Sequence, residues 1–305
     1  MADWHIIGRG SIGLLWASEL CRLNHDVSLI IKNHQGPPIG QLTDLTNTHG
    51  VQSQFKVTLG GYDSPAPIHT LLVPLKAYDI LPAIEQIKPR LTPQTVIILC
   101  HNGMGTVEQV QQLLGVEQPL LFATTTHGAY RLNATHVRHT GLGETKIGRF
   151  GPPLKRKLTQ TLNKVLDQIL TPLSWHEDIN AVLWQKLAIN CVINPLTATL
   201  NVKNGQLADV QHEPTINSLC SEIATIANAC GIPFVADELR NNCYKVIKGT
   251  ANNYSSMHQD VKAGRTTEID YINGYLLGKA RQLCLEAPAN EALYQAVKAL
   301  ESTSS

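Results

Sequence analysis

Long apolar runs are missing from this chain of 305 residues. No stretch reaches the ~18 uninterrupted apolar residues that a membrane-spanning helix needs. The first residues, 1–7, lack the basic-then-apolar pattern of a signal peptide, so we expect no export. Charge of one sign is not in excess either, since 25 Lys and Arg balance 24 Asp and Glu. A net charge of +1 gives no electrostatic reason to expect nucleic acid or a membrane as a partner.

Paired cysteines and metal-ligand motifs are also missing. The seven cysteines are scattered, odd in number and never spaced as CxxC, a pattern typical of reduced, buried thiols. The twelve histidines form no HExxH motif and no cluster with cysteines. We therefore expect a cytoplasmic protein without a metal site.

The chain divides into two parts with different patterns, and its length suits two domains. Up to about Trp175, short apolar strand patterns alternate with helical ones, which is typical of a parallel sheet covered on both faces. Beyond that point long helical patterns take over. The sequence thus predicts an α/β domain in residues 1–175 and an all-α domain in residues 176–305. The predicted strands are 4–7, 27–31, 70–73, 95–100 and 120–124; the predicted helices are 14–23, 77–87, 106–114, 179–199, 213–230, 236–249 and 266–285; and 136–150 is predicted to form an antiparallel hairpin at the sheet edge.

A glycine-rich turn follows the first predicted strand and opens the first predicted helix. Gly8 allows a tight bend, Gly10 lets the backbone approach a pyrophosphate, and Gly13 lets helix and strand pack closely. The helix N-terminus then supplies N–H groups and a positive dipole for the phosphates. The first domain is therefore predicted to be a Rossmann-type dinucleotide-binding domain. Its cofactor-binding turn comprises Gly8, Arg9, Gly10, Ser11, Ile12 and Gly13.

The second predicted strand ends in Lys32 and not in an acidic residue. An NAD-preferring site usually carries Asp or Glu there, bound to the ribose 2′-hydroxyl. Lys32 is a cation suited to a 2′-phosphate, and Arg9 could reach the same phosphate. A solvated charge at a strand end is the alternative interpretation of Lys32. Because no acidic residue stands at this strand end, we favour NADPH over NADH.

A polar stripe runs along the apolar helix predicted over residues 179–199. Lys186, Asn190 and Asn194 are spaced four residues apart and so share one face. Desolvation disfavours the charged form of a buried lysine, which makes such a lysine a competent general acid near neutral pH. The asparagines can bind a substrate carboxylate or hydroxyl. A lysine that extends to the surface beside two capping asparagines explains the stripe equally well.

Further polar candidates lie in two turns and in one late segment. Lys76 and Asn102 follow predicted strands, and ligands of open α/β sheets bind beyond the carboxyl ends of the strands. Glu268 and Asp270 stand at the start of the last predicted helix. Charge that complements the helix dipole explains Asp270 and, taken alone, would explain Glu268 as well.

Several segments together resemble the ketopantoate reductase (2-dehydropantoate 2-reductase) family. They cover nearly the whole chain in order, and jointly they are specific, although the glycine turn alone is not. The segments are Gly8–Gly13, Leu75-Lys76-Ala77, His101-Asn102-Gly103-Met104-Gly105, Trp184–Ala198, Asn204-Gly205, Ser255-Ser256-Met257-x-Gln259-Asp260 and Thr267–Gly274.

The resemblance implies a two-domain enzyme that reduces ketopantoate to pantoate with NADPH, on the pathway to pantothenate and coenzyme A. It implies Lys186 as the general acid that protonates the carbonyl oxygen as hydride arrives. It implies Glu268 as the group that holds the substrate hydroxyl and lies next to the cofactor, and it leaves a homodimer open. The other implied residues are Asn190, Asn194, Asn204, Asn253 and Ser256 for the substrate, and Lys76 and Asn102 for the cofactor.

Two residues depart from the family pattern. Arg9 is bulky for a position that is often small or apolar, and Pro74 before Lys76 is unusual; both bear on cofactor preference more than on the reaction. Two alternative functions stay open. One is an NADPH-dependent reductase of another branched 2-keto acid or of an opine-type imine. The other is a non-catalytic NADPH-binding sensor, which would not need Lys186, Asn190 and Glu268 together.

Overall fold

The computed structural model describes residues 4–150, 154 and 156–303. The chain divides into two compact units. The α/β unit comprises Met1–His101 and Thr106–Ile179, and the helical unit comprises Asn102–Gly105 and Asn180–Ser305. The short segment Asn102–Gly105 thus belongs to the helical unit although its neighbours in sequence belong to the other. The predicted division of cofactor and substrate binding between residues 1–175 and 176–305 stays a prediction.

Short apolar, β-branched runs form the central strands of the α/β unit and amphipathic runs form its helices, which confirms the predicted fold class. Strands and helices do not alternate throughout, because four strands follow one another in residues 27–73 and again in residues 120–149. The described strands are β1 (Trp4–Ile7), β2 (Val27–Ile30), β3 (Ile39–Thr46), β4 (Gln52–Gly60), β5 (Thr70–Val73), β6 (Val96–Leu99), β7 (Leu120–Thr125), β8 (Gly128–Asn133), β9 (His136–Gly141), β10 (Thr145–Arg149) and β11 (Leu173–His176). The described helices are α1 (Ser11–Arg22), α2 (Ala77–Ile87), α3 (Thr106–Leu114) and α4 (Arg156–Leu166).

The described strands form one sheet in the order β11-β10-β7-β6-β5-β1-β2-β4-β3-β9-β8. Strand β1 lies in its interior and pairs in parallel with β2 on one side and β5 on the other. The chain therefore leaves β1 toward one side and returns on the opposite side, which makes the carboxyl end of β1 a topological switch point. Ligands of open α/β sheets bind at such points.

The predicted hairpin over residues 136–150 is wrong. β9 and β10 both lie in this region, but they do not pair with each other. β9 pairs antiparallel with β8 and parallel with β3, whereas β10 pairs antiparallel with β7 and parallel with β11. The local pattern correctly indicated strands, but it could not indicate which other strands they pair with.

The central strands of the sheet consist almost entirely of apolar residues because they lie in the core of the α/β unit. Every residue of β1, β5 and β6 is buried. Helix α1 packs Leu14, Trp16 and Leu20 into the same core, each with 0 % exposure. Complete burial of an aliphatic side chain of this kind stabilises the fold by about 1.5–3 kcal/mol.

A buried histidine, His5, stands in the central strand and is 2 % exposed. Burial, together with the charges of Arg90 and His69, lowers the pKa of His5 from 6.5 to about 4. His5 is therefore neutral in the folded protein at pH values where the unfolded chain has already bound a proton. Its contribution to the free energy of unfolding is complete above pH 6.5 and is lost as the pH falls toward 4.

The free energy of unfolding of the wild type should fall between pH 8 and pH 4.5. We predict that this fall is about 2–3 kcal/mol smaller in His5→Leu, because the variant has no histidine to protonate at this position. Urea denaturation at both pH values measures this difference. The exposed His49 provides the control, since His49→Leu should keep the wild-type pH dependence. An unchanged pH dependence in His5→Leu would show that acid sensitivity arises elsewhere.

The helical unit is built around a long central helix. This helix, α5 (Asn180–Leu200), packs against α6 (Glu213–Ala229), α7 (Ala236–Gly249), α8 (Ser256–Lys262) and α10 (Pro288–Thr303). Helix α9 (Asn273–Gln282) packs against α6 and α10. Among the described residues no helix is long and apolar enough to cross a bilayer.

The single helix predicted over residues 266–285 is also wrong. A one-turn 3-10 helix, Ile269–Tyr271, precedes α9, and the chain breaks between them at Ile272, with φ −100° and ψ −92°. Glu268 immediately precedes the 3-10 turn and does not lie within a regular helix. The apolar residues that suggested one helix are buried on both sides of this break, since Ile269 before it and Leu276 after it are each 0 % exposed.

Candidate active site

The glycine turn joins the carboxyl end of β1 to the N-terminus of α1. Gly8 has φ +82°, a conformation that side-chain-bearing residues rarely adopt. A Cβ on Gly13 would lie 3.0 Å from Cγ of Pro74 and 3.3 Å from Cγ2 of Ile6. Pro74 therefore packs directly against the start of α1, where the absence of a side chain is needed.

The turn has room for an anion, as the predicted dinucleotide site requires. Gly10 is exposed, and a Cβ there would meet only the Pro74 carbonyl oxygen, at 3.9 Å. The first turn of α1, which begins with Ser11 and Ile12, contains no acidic residue. Free N–H groups at a helix N-terminus bind phosphate, so the residues present fit a dinucleotide cofactor.

Two lysines follow the two strands that flank β1, at the carboxyl ends of those strands. Lys32 follows β2 and is exposed, whereas Lys76 follows β5 and is half-buried. Both strands pair with β1, so these lysines flank the glycine turn at the switch point. The arrangement suits a polyanionic ligand, although the individual roles of both lysines stay predictions.

Sequence reasoning missed a third cation beside the glycine turn. Nη1 of Arg131, on β8, donates a hydrogen bond of 3.2 Å to the carbonyl oxygen of Arg9 within the glycine turn. The two residues are 122 positions apart, and no local pattern in β8 indicates the contact. Arg131 therefore fixes the backbone of the turn from another strand.

Lys186 is the single charged residue in the 21-residue helix α5. Lys186 and Asn190 are half-buried, and Asn194 is 8 % exposed. Burial raises the pKa of the nearby thiol of Cys191 well above its ordinary value, so this thiol stays protonated and adds no charge to the helix. A half-buried side chain fits both the general-acid interpretation of Lys186 and a lysine whose terminal amine extends to the surface, so the role of Lys186 stays a prediction.

Glu268 is buried, with 4 % exposure, and lies against the segment Asn102–Gly105. Nδ2 of Asn102 donates a hydrogen bond of 3.2 Å to Oε2 of Glu268. Two residues further on, the backbone N–H of Met104 donates to the carbonyl oxygen of Tyr271 at 2.8 Å. The structure thus brings together two predicted site residues that are 166 positions apart.

This approach requires a glycine at position 103. Gly103 has φ +83°, and a Cβ added there would clash with the backbone carbonyl and the Cβ of Tyr271. Sequence reasoning included Gly103 in a motif but assigned it no role. The sequence shows a glycine next to the polar candidate Asn102, but the reason that position 103 requires a glycine is its close approach to the distant Tyr271.

The remaining candidates lie at the opposite end of α5, near α8. Asn204 is 7 % exposed; its Nδ2 donates to Thr250, and its backbone N–H donates to the carbonyl oxygen of Asn253 at 2.9 Å. Its Oδ1 is buried and has no hydrogen-bond partner among the described residues. A buried acceptor without a partner is costly, so this oxygen is suited to a ligand hydroxyl or to water.

Two adjacent serines begin α8 and differ in their surroundings. Ser255 is buried, caps α8 by accepting a hydrogen bond from the N–H of His258, and accepts another from Thr197 on α5. Ser256 and Asn253 are exposed. Ser255 therefore has a structural role, and Ser256 stays the predicted substrate-binding serine. Among the described residues no group of three or more side chains has the composition of a metal site.

Comparison with known families and proteins gives a consistent result. Residues 4–152 match the family model described as "Ketopantoate reductase PanE/ApbA", and residues 178–301 match "Ketopantoate reductase PanE/ApbA C terminal". The chain is 40 % identical over 298 residues to 2-dehydropantoate 2-reductase of Salmonella typhimurium, covering 97 % of this chain and 94 % of that protein. It is 37 % identical over 300 residues to the protein of that name from Vibrio cholerae serotype O1, covering 98 % and 97 %.

A solved structure shows that the fold alone does not identify the substrate. D-mandelate dehydrogenase, in a ternary structure with NADH and anilino(oxo)acetate, superposes with a TM-score of 0.87. The match covers 99 % of both chains at 20 % sequence identity. The two proteins share a fold, and substrate preference must follow from the side chains of each.

Proposed function

Because the chain belongs to the ketopantoate reductase family, we propose that it reduces 2-dehydropantoate to pantoate with NADPH, in the biosynthesis of pantothenate and coenzyme A. The observation that carries the proposal is the match, over nearly the whole of both chains, to proteins named 2-dehydropantoate 2-reductase. The glycine turn supports a nicotinamide dinucleotide as the cofactor, which when bound supplies the hydride that reduces the keto carbon. The choice of NADPH rests on Lys32.

Lys186 is the proposed proton donor to the substrate oxygen. Reduction of the keto group leaves negative charge on this oxygen, which then takes one proton from Nζ of Lys186 to give the alcohol. A cation beside the oxygen stabilises this charge in the transition state. The composition of α5 supports this role, because the helix contains no carboxylate that would compete for the proton of Lys186.

Glu268 is the proposed acceptor for the hydroxyl group of ketopantoate. Its burial and its hydrogen bond from Asn102 hold one carboxylate oxygen in a fixed direction. A buried, oriented acceptor discriminates strongly against an analogue that lacks the hydroxyl, because the carboxylate would then lose a partner. Asn190, Asn194, Asn204, Asn253 and Ser256 are the proposed polar contacts to the rest of the substrate.

Product analysis tests the reaction directly. The purified protein incubated with ketopantoate and NADPH should yield pantoate and oxidised cofactor in equal amounts, identified by mass spectrometry. Oxidation of NADPH without pantoate would contradict the proposal. Tight NADPH binding without turnover of any 2-keto acid or imine would instead favour the sensor alternative.

We predict that Lys32→Ala weakens NADPH about 10–100-fold and leaves NADH nearly unchanged, because one charge-assisted hydrogen bond to the 2′-phosphate is lost. Fluorescence titration with both cofactors measures the change. The exposed Lys164 on α4 provides a control with the same change of charge, and Lys164→Ala should keep both affinities. Equal weakening of NADPH and NADH would contradict the assignment of Lys32.

Three further expectations stay predictions: a homodimer, a cytoplasmic location, and the absence of nucleic-acid and membrane partners. Light scattering tests the first, since a homodimer has twice the chain mass of 33.4 kDa.

A further inference from the structure

A proline interrupts the hydrogen bonding of α5 beside the predicted catalytic residues. Pro195 lies inside the helix and has no N–H, so it cannot donate to the carbonyl oxygen of Cys191, four residues earlier. Nδ2 of Asn273, the first residue of α9, donates to this oxygen at 3.1 Å. Asn273 is completely buried, and its side chain thus replaces the backbone donor that Pro195 removes.

The orientation of the Asn273 amide is set by a buried network. Nδ2 of Asn290 donates to Glu222 at 2.8 Å, and this leaves the Asn290 oxygen facing Asn273. Nδ2 of Asn273 lies 3.2 Å from that oxygen, so it faces two acceptors. Its own Oδ1 is buried and has no partner among the described residues. Such an unsatisfied atom costs stability, which indicates that the amide is retained for another reason.

We propose that Asn273 is a positioning residue for the reductase reaction, which ties the segment carrying Glu268 to the helix carrying Lys186 and Asn190. This inference rests on the proposed function. Glu268 precedes Asn273 by five positions, and the carbonyl oxygen that Asn273 binds belongs to Cys191, the residue after Asn190. The hydrogen bond therefore sets the spacing between the proposed hydroxyl acceptor and the proposed proton donor.

The other flank of the Glu268 segment is held by α10. The N–H of Thr267 donates to Glu301 at 2.7 Å, and Lys298 forms an ion pair of 3.1 Å with Asp270. These contacts fasten the segment to α10, which itself packs against α5. Asn273 adds a direct hydrogen-bonded link, because its amide contacts the Cys191 carbonyl oxygen of α5 and the Asn290 side chain of α10 at once.

Replacement of Asn273 by alanine is the first test. We expect kcat for ketopantoate to fall about 100-fold, since a displacement of about 1 Å at a reacting centre has an effect of this size. The affinity for NADPH, whose predicted contacts lie mainly in the α/β unit, should stay unchanged, and Tm should fall by several degrees. Asn228→Ala provides a control in the same unit, because it too removes two hydrogen bonds of an asparagine side chain.

The double variant Pro195→Ala with Asn273→Ala separates positioning from general stability. The Pro195→Ala change provides the missing N–H donor to the Cys191 carbonyl oxygen, so Tm should recover much of its loss relative to Asn273→Ala alone. The proposal predicts that kcat stays low, because the link to the Glu268 segment is still absent. Recovery of kcat together with Tm would overturn the proposal, as would a wild-type kcat in Asn273→Ala.

An insoluble Asn273→Ala variant and a failure of the proposed function can both be distinguished from a failure of the positioning role. If Asn273→Ala is insoluble, Asn273→Ser with and without Pro195→Ala has the same expected pattern and the same contradicting result. If the wild type does not reduce ketopantoate at all, the proposed function fails. A wild type that reduces ketopantoate while the Asn273 variants keep its kcat overturns only the positioning role.

Discussion

Lys186→Ala should lower kcat for ketopantoate by about 10²–10⁴-fold, the range that a positioned general acid contributes. The substrate oxygen would then lack both a proton donor and the cation that stabilises its developing charge. NADPH affinity should be spared, because the predicted phosphate contacts lie on the α/β unit. Single-turnover kinetics and fluorescence titration measure the two effects separately.

Two comparisons make the Lys186 result specific. Lys248→Ala removes an exposed lysine from the same unit and should keep the wild-type kcat. Added primary amines should restore part of the activity of Lys186→Ala, since they supply the missing proton donor in the space that the side chain vacates. Turnover near the wild-type rate in Lys186→Ala would refute the proposed role of this residue.

Gly103→Ala should reduce kcat/KM for ketopantoate by about 100-fold, because the segment Asn102–Gly105 can no longer lie against Tyr271. The added Cβ would meet the Tyr271 backbone and push Asn102 away from Glu268. The orientation of the Glu268 carboxylate would then be lost. Steady-state kinetics measures the change in kcat/KM, and the near-ultraviolet circular dichroism spectrum reports whether the fold is intact.

Gly231→Ala is the matched control for Gly103→Ala. Gly231 has φ +80°, close to the +83° of Gly103, but a Cβ there would meet nothing within 4 Å. Both variants therefore carry a similar backbone strain, and only one carries the steric conflict. Equal losses of activity in the two variants would indicate that strain alone explains the effect and that the approach to Tyr271 is unimportant.

The features that could be predicted from the sequence are those with local determinants. The turn Gly8–Gly13 is recognisable because its three glycines and the following helix lie within a few residues of one another. The helix carrying Lys186 is recognisable because its apolar residues and its polar stripe follow the helical period. The central strands are recognisable because burial on both faces makes them apolar throughout.

The features that could not be predicted depend on distant partners. β9 pairs with β3, about ninety residues earlier, so the local pattern suggested a hairpin with β10 that does not form. Asn102 and Glu268 were both candidates, but their contact spans 166 positions. The break at Ile272 is invisible in a run of apolar residues, since burial on either side of it requires the same residue types. The hydrogen bond of Asn273 to the Cys191 carbonyl oxygen replaces a donor that the distant Pro195 removes.

Selectivity of this reductase for ketopantoate is tested by a comparison of kcat/KM between two keto acids with NADPH. The two are ketopantoate and benzoylformate, the keto acid that corresponds to mandelate. We predict a value for ketopantoate at least ~100-fold higher, because the oriented Glu268 carboxylate loses the hydrogen bond from the substrate when the substrate has no hydroxyl group. A value for benzoylformate equal to or above that for ketopantoate would contradict the proposed selectivity.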